Sequence, residues 1–480
     1  MTLTLFGVLT LAISFWLMLR RTALEQFTFV ILTFVFGGAA AINLPALGGS
    51  SIRPSLLAFI LLFVRLILTP SGELSAVLRA GRKNLPLIVF CAYGILGAFI
   101  LPRIFQGQID LVPMRPIKFR TDLVVKLPLL FSSQNITSAF YLCGTLLGVL
   151  AGDIIARRNG AHRRLVDAIV IASWLHIGFG ALGVALRMVH LEHVLNFFRN
   201  GAYAQLDHAY KGYVRITGVM PEASTYADFA FVMLALTTEF WLRGVRERWT
   251  GFTSLGMLVI LVLSSSSTAY VALAGYAVVL LLRWLIFPQS FGVRKVAVLL
   301  ACAVGAAVAS AVTLIAFPGA AMQVTDMLEH MTVGKVDSQS ANERGVWARQ
   351  GWEAFLVSHG LGVGPGSFRS SSIATALLGS GGVIGTLAFL WYLMRVLKPW
   401  RNSTFHPSRN EIQAAGAAIS WAVPIGLLPA MVNSASADPG VLFAICASMG
   451  LVWRDARERT PARPSVQARG PARDPASRVA

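Results

Sequence analysis

The chain of 480 residues is 55% hydrophobic and only 13% charged, with a mean hydropathy of +0.66. That excludes an ordinary soluble domain, in which about a quarter of residues carry charge. The formal net charge of +19 would suit nucleic acid if Lys and Arg gathered on one folded surface; they lie instead in short segments between apolar runs, so the charge concerns membrane orientation and no nucleic-acid partner is expected.

In chain order, apolar runs near the roughly 20 residues that cross a bilayer occupy 3–19, 26–46, 54–69, 85–102, 135–156, 165–187, 224–242, 250–264, 267–287, 296–317, 373–395, 412–432 and 438–453. They predict an all-α polytopic membrane protein with about 12–13 transmembrane helices. The first run has no basic leading region or small-residue cleavage site and is expected to be a retained span. Run 54–69 is short and carries Arg65, expected to snorkel to the boundary, while 250–264 and 267–287 meet through "SSSST" as a tight hairpin. Cys91, Cys143, Cys302 and Cys446 all fall inside runs without metal-ligand spacing, which predicts buried small hydrophobes and neither a disulfide nor a metal site. His176 is the main deep polar group, and a bond to a neighbouring helix is expected of it.

Most of the 41 Lys and Arg fall in 20–21, 79–83, 157–164, 243–248, 294–295, 395–409 and the tail from Arg454. The positive-inside rule makes all of these cytoplasmic, with the N-terminus outside and the C-terminus inside. Residues 1–453 then form one membrane domain. The tail 454–480, rich in Pro, Ala and Arg, reads as disordered and basic, close to anionic lipid. Three substantial segments face the other side: 103–134, 188–223 and 318–372.

In the second of these, Arg215 precedes "GVMPEAS", which leads straight into run 224–242. Two roles are open to Glu222: a helix cap favoured by the helix dipole, or a base that deprotonates a hydroxyl beside a phosphate held by Arg215. Asp228 reaches the same vestibule or lines a polar groove. In the third segment, "NERGVWARQGWEAFLVS" spaces Val346, Trp347, Trp352, Phe355 and Leu356 as one face of an amphipathic helix lying on the membrane surface. Arg344 and Arg349 sit on its other faces, suited to lipid headgroups or to a phosphate. "HGLGVGPGSF" then breaks the helix, and Gly362, Gly364 and Gly366 could offer backbone amides to an anion. A nucleotide loop is not supported, since no Gly-Lys-Ser/Thr ending is present.

Taken together, "RITGVMPEAS" before one span and "ER…W…GWEAF…GLGVGPGSFRSSS…GSGGVIG" before another resemble the O-antigen ligase and Wzy-type polymerase superfamily of bacterial envelope glycan assembly, over about Arg215 to Gly385. The resemblance implies a metal-independent, inverting glycosyltransferase of the GT-C type with no cofactor, a large periplasmic loop containing amphipathic helices, and a periplasmic active site in the inner membrane. Its donor would be an oligosaccharide on undecaprenyl pyrophosphate, and its partners membrane lipids and a chain-length regulator or flippase of the same pathway. It implies Arg215 and Arg344 as pyrophosphate grips; beside them the chemistry points to Glu222 as catalytic base with Glu343 second, and to Arg349, Glu343, Gly362, Gly364, Gly366, Arg369 and Ser371 as substrate-binding. Arg349 with Gly360 keeps an Arg-x10-Gly spacing described for polymerases, whereas Tyr226 stands where Arg215 would need the glycine. Ser371-Ser372-x9-Gly382-x2-Gly385 keeps the frame of a ligase motif without its histidine, so a polymerase is expected over a ligase.

Such chemistry needs two negative phosphates neutralised as an acceptor hydroxyl attacks the anomeric carbon, which permanently charged, bidentate arginines supply well. A transporter of lipid-linked oligosaccharides is the competing class. It would place charge near the bilayer midplane and show repeated halves, whereas the ionisable residues here gather in outer loops.

Overall fold

The computed structural model describes residues 2–45, 50–68, 73–114, 124–201, 209–210, 213–301, 305, 339–398 and 410–456. The expected span 296–317, Cys302, the first part of the outer segment 318–372 and the tail after Ala456 lie largely or wholly outside these residues.

The chain is mostly helical, as its composition predicts. In order, the helices are α1 (Leu5–Arg20), α2 (Ala23–Thr33), α3 (Pro54–Leu68), α4 (Glu73–Lys83), α5 (Leu85–Ile104), α6 (Ser133–Ala156), α7 (Ala161–Met188), α8 (Ala223–Leu242), α9 (Glu247–Leu263), α10 (Ser267–Ile286), α11 (Gln339–Val357), α12 (Ile373–Leu397), α13 (Glu411–Ile425), α14 (Ala430–Asn433) and α15 (Gly440–Arg454). Among the described residues six spans are long and apolar enough to cross a membrane: α5, α6, α7, α10, α12 and the continuous stretch Glu411–Asn433. Four shorter apolar helices, α1, α2, α3 and α15, accompany them. The protein is therefore a helical, multi-pass membrane protein.

Local chemistry sets the helix starts. Thr22 and Glu25 form a reciprocal capping box, the Thr22 amide donating to Glu25 at 2.8 Å, and Ser132 with Asn135 forms a second. Asn410 caps α13 by accepting from the Ile412 amide. Helix α6 approaches α15 along Gly144, Gly148 and Gly152; an added Cβ on Gly148 would stand 3.2 Å from the Val441 carbonyl oxygen, and on Gly152 2.8 Å from that of Ile445. Small residues every fourth position are how membrane helices pack closely without a hydrophobic driving force.

Three expectations change. Run 26–46 is helical only to Thr33; residues 34–41 turn back, and Ile42–Leu44 (β2) pairs antiparallel with Thr2–Leu3 (β1) and Ser50–Ile52 (β3). Arg65 does not simply snorkel: its guanidinium donates to the carbonyls of Leu17, at 3.0 Å, and Arg21, closing the end of α1. Helix α11 is not laid on the surface by one apolar face. Trp347, Gln350, Gly351 and Ala354 are buried inward against α12, and Trp352 and Leu356 are exposed.

Other expectations hold. His176 stacks on Tyr226 at 3.9 Å between ring centroids and bonds the Tyr226 carbonyl at 3.2 Å, tying α7 to α8. Cys91, Cys143 and Cys446 are free, and the first and last of them are buried. Two small hairpins lie within 103–134 and 188–223, Asp110–Leu111 (β4) with Leu127–Pro128 (β5) and Ala209–Tyr210 (β6) with Tyr213–Val214 (β7).

Candidate functional site

One end of the bundle holds a cavity of about 700 Å³, within the usual range for a ligand site. Its walls are the N-terminal halves of α3, α6, α8, α11, α12 and α15, the middle of α5, residues 112–114, the strap 365–371 between α11 and α12, and the turn 434–439. These are the ends that the positive-inside reading puts on one side, although they come from positions as far apart as Phe34 and Leu442.

Six of the ten expected site residues line this cavity: Glu222, Glu343, Arg344, Gly366, Arg369 and Ser371. Arg215, Arg349, Gly362 and Gly364 do not. Arg349 is exposed on the outer face of α11, five residues and about half a helical turn away from the cavity-lining face. The choice between Arg344 and Arg349 is thus geometric: Arg344 enters the cavity.

Arg369 lies with its guanidinium 4.4 Å from the ring centre of Trp347, itself buried on α11. Its Nε is buried without a hydrogen-bond partner, and neither Arg344 nor Arg369 has an ion-pair partner within 4.0 Å among the described residues. Burial pushes the Arg369 guanidinium below its ordinary value, Glu222 opposes that, Arg344 adds to it and Glu343 opposes it. The four side chains therefore feel one another inside a single chamber.

The backbone that presents them is fixed by Ser371 and by two residues the sequence did not single out, Gln350 and Asn135. Fully buried Gln350 accepts from the Val112 amide at 2.8 Å and donates to the Arg369 carbonyl. The Arg369 amide in turn donates to the Val112 carbonyl at 3.1 Å, and the Ser370 amide to that of Ala435. Ser371 donates its hydroxyl to the Arg344 carbonyl at 2.7 Å, binding the strap to α11. Asn135, also fully buried, donates to the Pro365 carbonyl at 2.9 Å and to Ser367. Gln350 had a signal in the sequence, a lone amide on the inward face of a helix, but its partners are over 200 positions away for Val112.

Four carboxylates share the cavity. Glu222 occupies the N-cap position of α8, yet makes no side-chain cap bond to the helix; it accepts the hydroxyls of Ser224 and, at 3.3 Å, Thr225. Asp438, absent from the expected set, accepts from Thr145 at 2.7 Å and from the Gly440 amide at 3.1 Å. Asp228 also lines the cavity, and has no hydrogen-bond or ion-pair partner among the described residues. It stands with Asp438 at the mouth of a smaller chamber of about 190 Å³ between α8, α13 and α15, otherwise lined largely by apolar groups such as Val232, Leu427 and Phe443. Arg53 adds a third cation to the main cavity.

The expected anion nest in the glycine string is not what forms. Gly362, Gly364 and Gly366 all have positive φ, 81°, 88° and 88°, but they serve packing between chain segments. A Cβ on Gly364 would meet the Gly97 carbonyl oxygen at 2.6 Å, and one on Gly366 would collide with that of Gln134. Their neighbours' amides are consumed within the protein: Gly362 donates to Ser358, Val363 to the Gly379 carbonyl and Gly364 to the Ser380 carbonyl. The string lets the strap lie against α5, α6 and α12 and so forms the cavity wall.

Among the described residues no three His, Cys, Asp or Glu side chains gather as a metal ion would require, and the cavity's positive charge comes from Arg53, Arg344 and Arg369. No family model matches the chain, and no curated protein matches it.

Proposed function

We propose that the protein is a GT-C type, inverting glycosyltransferase that polymerises undecaprenyl-pyrophosphate-linked oligosaccharide repeat units, acting without a metal at the periplasmic face of a bacterial inner membrane. The observation that carries this reading is the pair Arg344 and Arg369: two guanidiniums in one enclosed chamber at the membrane boundary, neither neutralised by an ion pair among the described residues. Two such groups match the two charges of a lipid diphosphate and stabilise it as it leaves. Arg369 takes the place that Arg215 held in the sequence reading.

In the reaction the acceptor hydroxyl oxygen bonds to the anomeric carbon, the bond from that carbon to the diphosphate oxygen breaks with its electron pair going to the diphosphate, and the hydroxyl proton goes to a carboxylate. Glu222 was the expected acceptor, but its oxygen already receives the hydroxyls of Ser224 and Thr225. Asp228, two turns into the same helix and without such a partner, fits the role better. Asp228→Asn should then abolish turnover while lipid-diphosphate binding persists, and Glu222→Gln should cost less; the reverse order would return the role to Glu222.

Ser371, standing where a ligase has histidine, is engaged by the Arg344 carbonyl and supports the polymerase over the ligase. Most of the cavity's charged groups, Arg53, Glu222, Glu343, Arg344 and Arg369, stand at helix starts or in connecting segments, which supports surface chemistry over transport. Purified protein incubated with lipid-linked repeat units, with and without lipid A core, tests the reading. Ladder growth without core supports a polymerase, a single addition to core supports a ligase, and neither product overturns both.

A further inference from the structure

At the opposite end of the bundle from the cavity, a groove of about 710 Å³ runs up the outside of α7. Its α7 wall is one stripe at helical spacing: Arg164, Asp167, Val170, Ile171, Trp174, Leu175, Gly178 and Leu182, with Phe179 beside it. Arg246 and Trp249, at the start of α9, close its basic end. Farther up the groove, the Trp174 indole N–H donates to Thr253 of α9 at 3.0 Å, tying its two walls together.

The groove is polar at one end only. Arg164, Asp167, Arg246 and Trp249 occupy the first turns of two parallel helices, and beyond Asp167 the α7 lining is apolar to Leu182, about 27 Å from Arg164 at helical rise. Asp167 accepts from Arg246 at 2.9 Å, which fixes that guanidinium over the groove but offsets only one of the two positive charges. Arg164 has no ion-pair partner, and the exposed indole of Trp249 no hydrogen-bond partner, among the described residues. Two arginines and an indole donor at headgroup depth, standing over an apolar channel between membrane helices, have the chemistry of a basic lipid-headgroup pocket.

We infer that this groove is a binding site for an anionic phospholipid, its phosphate on Arg164 and Arg246 with Trp249, and one acyl chain along Val170, Ile171, Trp174 and Leu175. The site is independent of the glycosyltransferase reading and lies at the other end of the molecule. Ordinary annular lipid would cover the same apolar stripe without regard to headgroup charge, so headgroup selectivity is the distinguishing property.

The test is native mass spectrometry of the purified full chain with equimolar phosphatidylglycerol and phosphatidylcholine. The wild type should retain phosphatidylglycerol preferentially, and each of Arg164→Gln and Arg246→Gln should reduce that preference about fivefold. Ile171→Trp, which fills the channel, should lower retention of the bound lipid with the arginines intact. Arg163→Gln serves as the control, since Arg163 neighbours the groove in sequence but does not line it and pairs with Glu411 at 2.9 Å. Melting temperatures report whether each variant is folded. Equal retention of the two lipids by the wild type, a preference unchanged in the Arg164→Gln/Arg246→Gln double variant, or an equal loss in Arg163→Gln would each overturn the assignment.

Discussion

The two ends of the helix bundle use positive charge in opposite ways. At the basic end, apart from Arg164 over the lipid groove, cations fasten helices: Arg157 pairs with Asp153 at 2.7 Å, Arg163 with Glu411, and Arg283 with Glu239 through two 2.8 Å bonds. Others sit on the last carbonyls of helix C-termini, Lys295 on α8, Lys83 on α15 and Arg454 on α12. That placement complements the helix dipole and satisfies orphan acceptors. At the cavity end Arg344 and Arg369 share a chamber with four carboxylates, yet neither forms an ion pair among the described residues. The first arrangement fastens helices together, and the second leaves charge available to a ligand.

Substitutions at the two ends should therefore fail in different ways. The largest effect is expected at the basic end, where Glu239 is fully buried against Arg283, with Tyr276 also donating to it. Glu239→Ala leaves a buried guanidinium without its carboxylate and should cost about 3–5 kcal/mol of stability, read as a fall in melting temperature and folded yield. If that variant melts normally, the fastening role of this end is wrong.

At the cavity end the signature should be lost turnover in a folded protein. Arg344→Ala and Arg369→Ala should each slow glycan transfer by about 10²–10³-fold with little change in melting temperature. Near-normal polymer from both would break the comparison from the other side.

Gln350→Ala sharpens it further, because Gln350 touches no cavity space and acts only through the Val112 and Arg369 backbones. The two bonds lost are worth roughly 1–3 kcal/mol, and a change in donor KM at least as large as that in stability is expected, with rescue by Gln350→Glu incomplete. The smallest effect should follow Arg163→Ala at the exposed basic surface, under about 1 kcal/mol in melting experiments and none in turnover.

The sequence made the helices legible where apolar runs are long. Residues 85–102, 135–156 and 373–395 become α5, α6 and α12 with ends moved by two residues at most. It misled at 26–46, because hydropathy is blind to the tertiary bonds that unwind the second half: Gly38 donates to the Val219 carbonyl and Ala40 to the Asn200 side chain, partners some 160–180 positions away. The site divides similarly. Glu222, Arg344 and Ser371 could be picked from motifs within single segments. Asp438 and Arg53 stand in apolar or turn sequence that carries no motif, and join the cavity only because α3 and α15 begin beside it. The glycine string was conspicuous, but its role as an anion nest was not what the sequence could decide: the group its backbone approaches is protein backbone of α5, α6 and α12.

The break inside α12 has a mechanical consequence. Gly382 has φ 58° and ψ −159°, so the helix is interrupted there, and the amides and carbonyls released around it bond the glycine string that leads into the strap: Val363 to Gly379, Gly364 to Ser380 and, in return, Val383 to Gly360. Peeling the strap away would sacrifice those three bonds, about 1 kcal/mol each, together with the bonds of Asn135 and Ser371 that also hold it. Among the described residues this side of the chamber is thus bolted to α6, α11 and α12, and under the proposed function a lipid-linked donor would enter past another part of the rim.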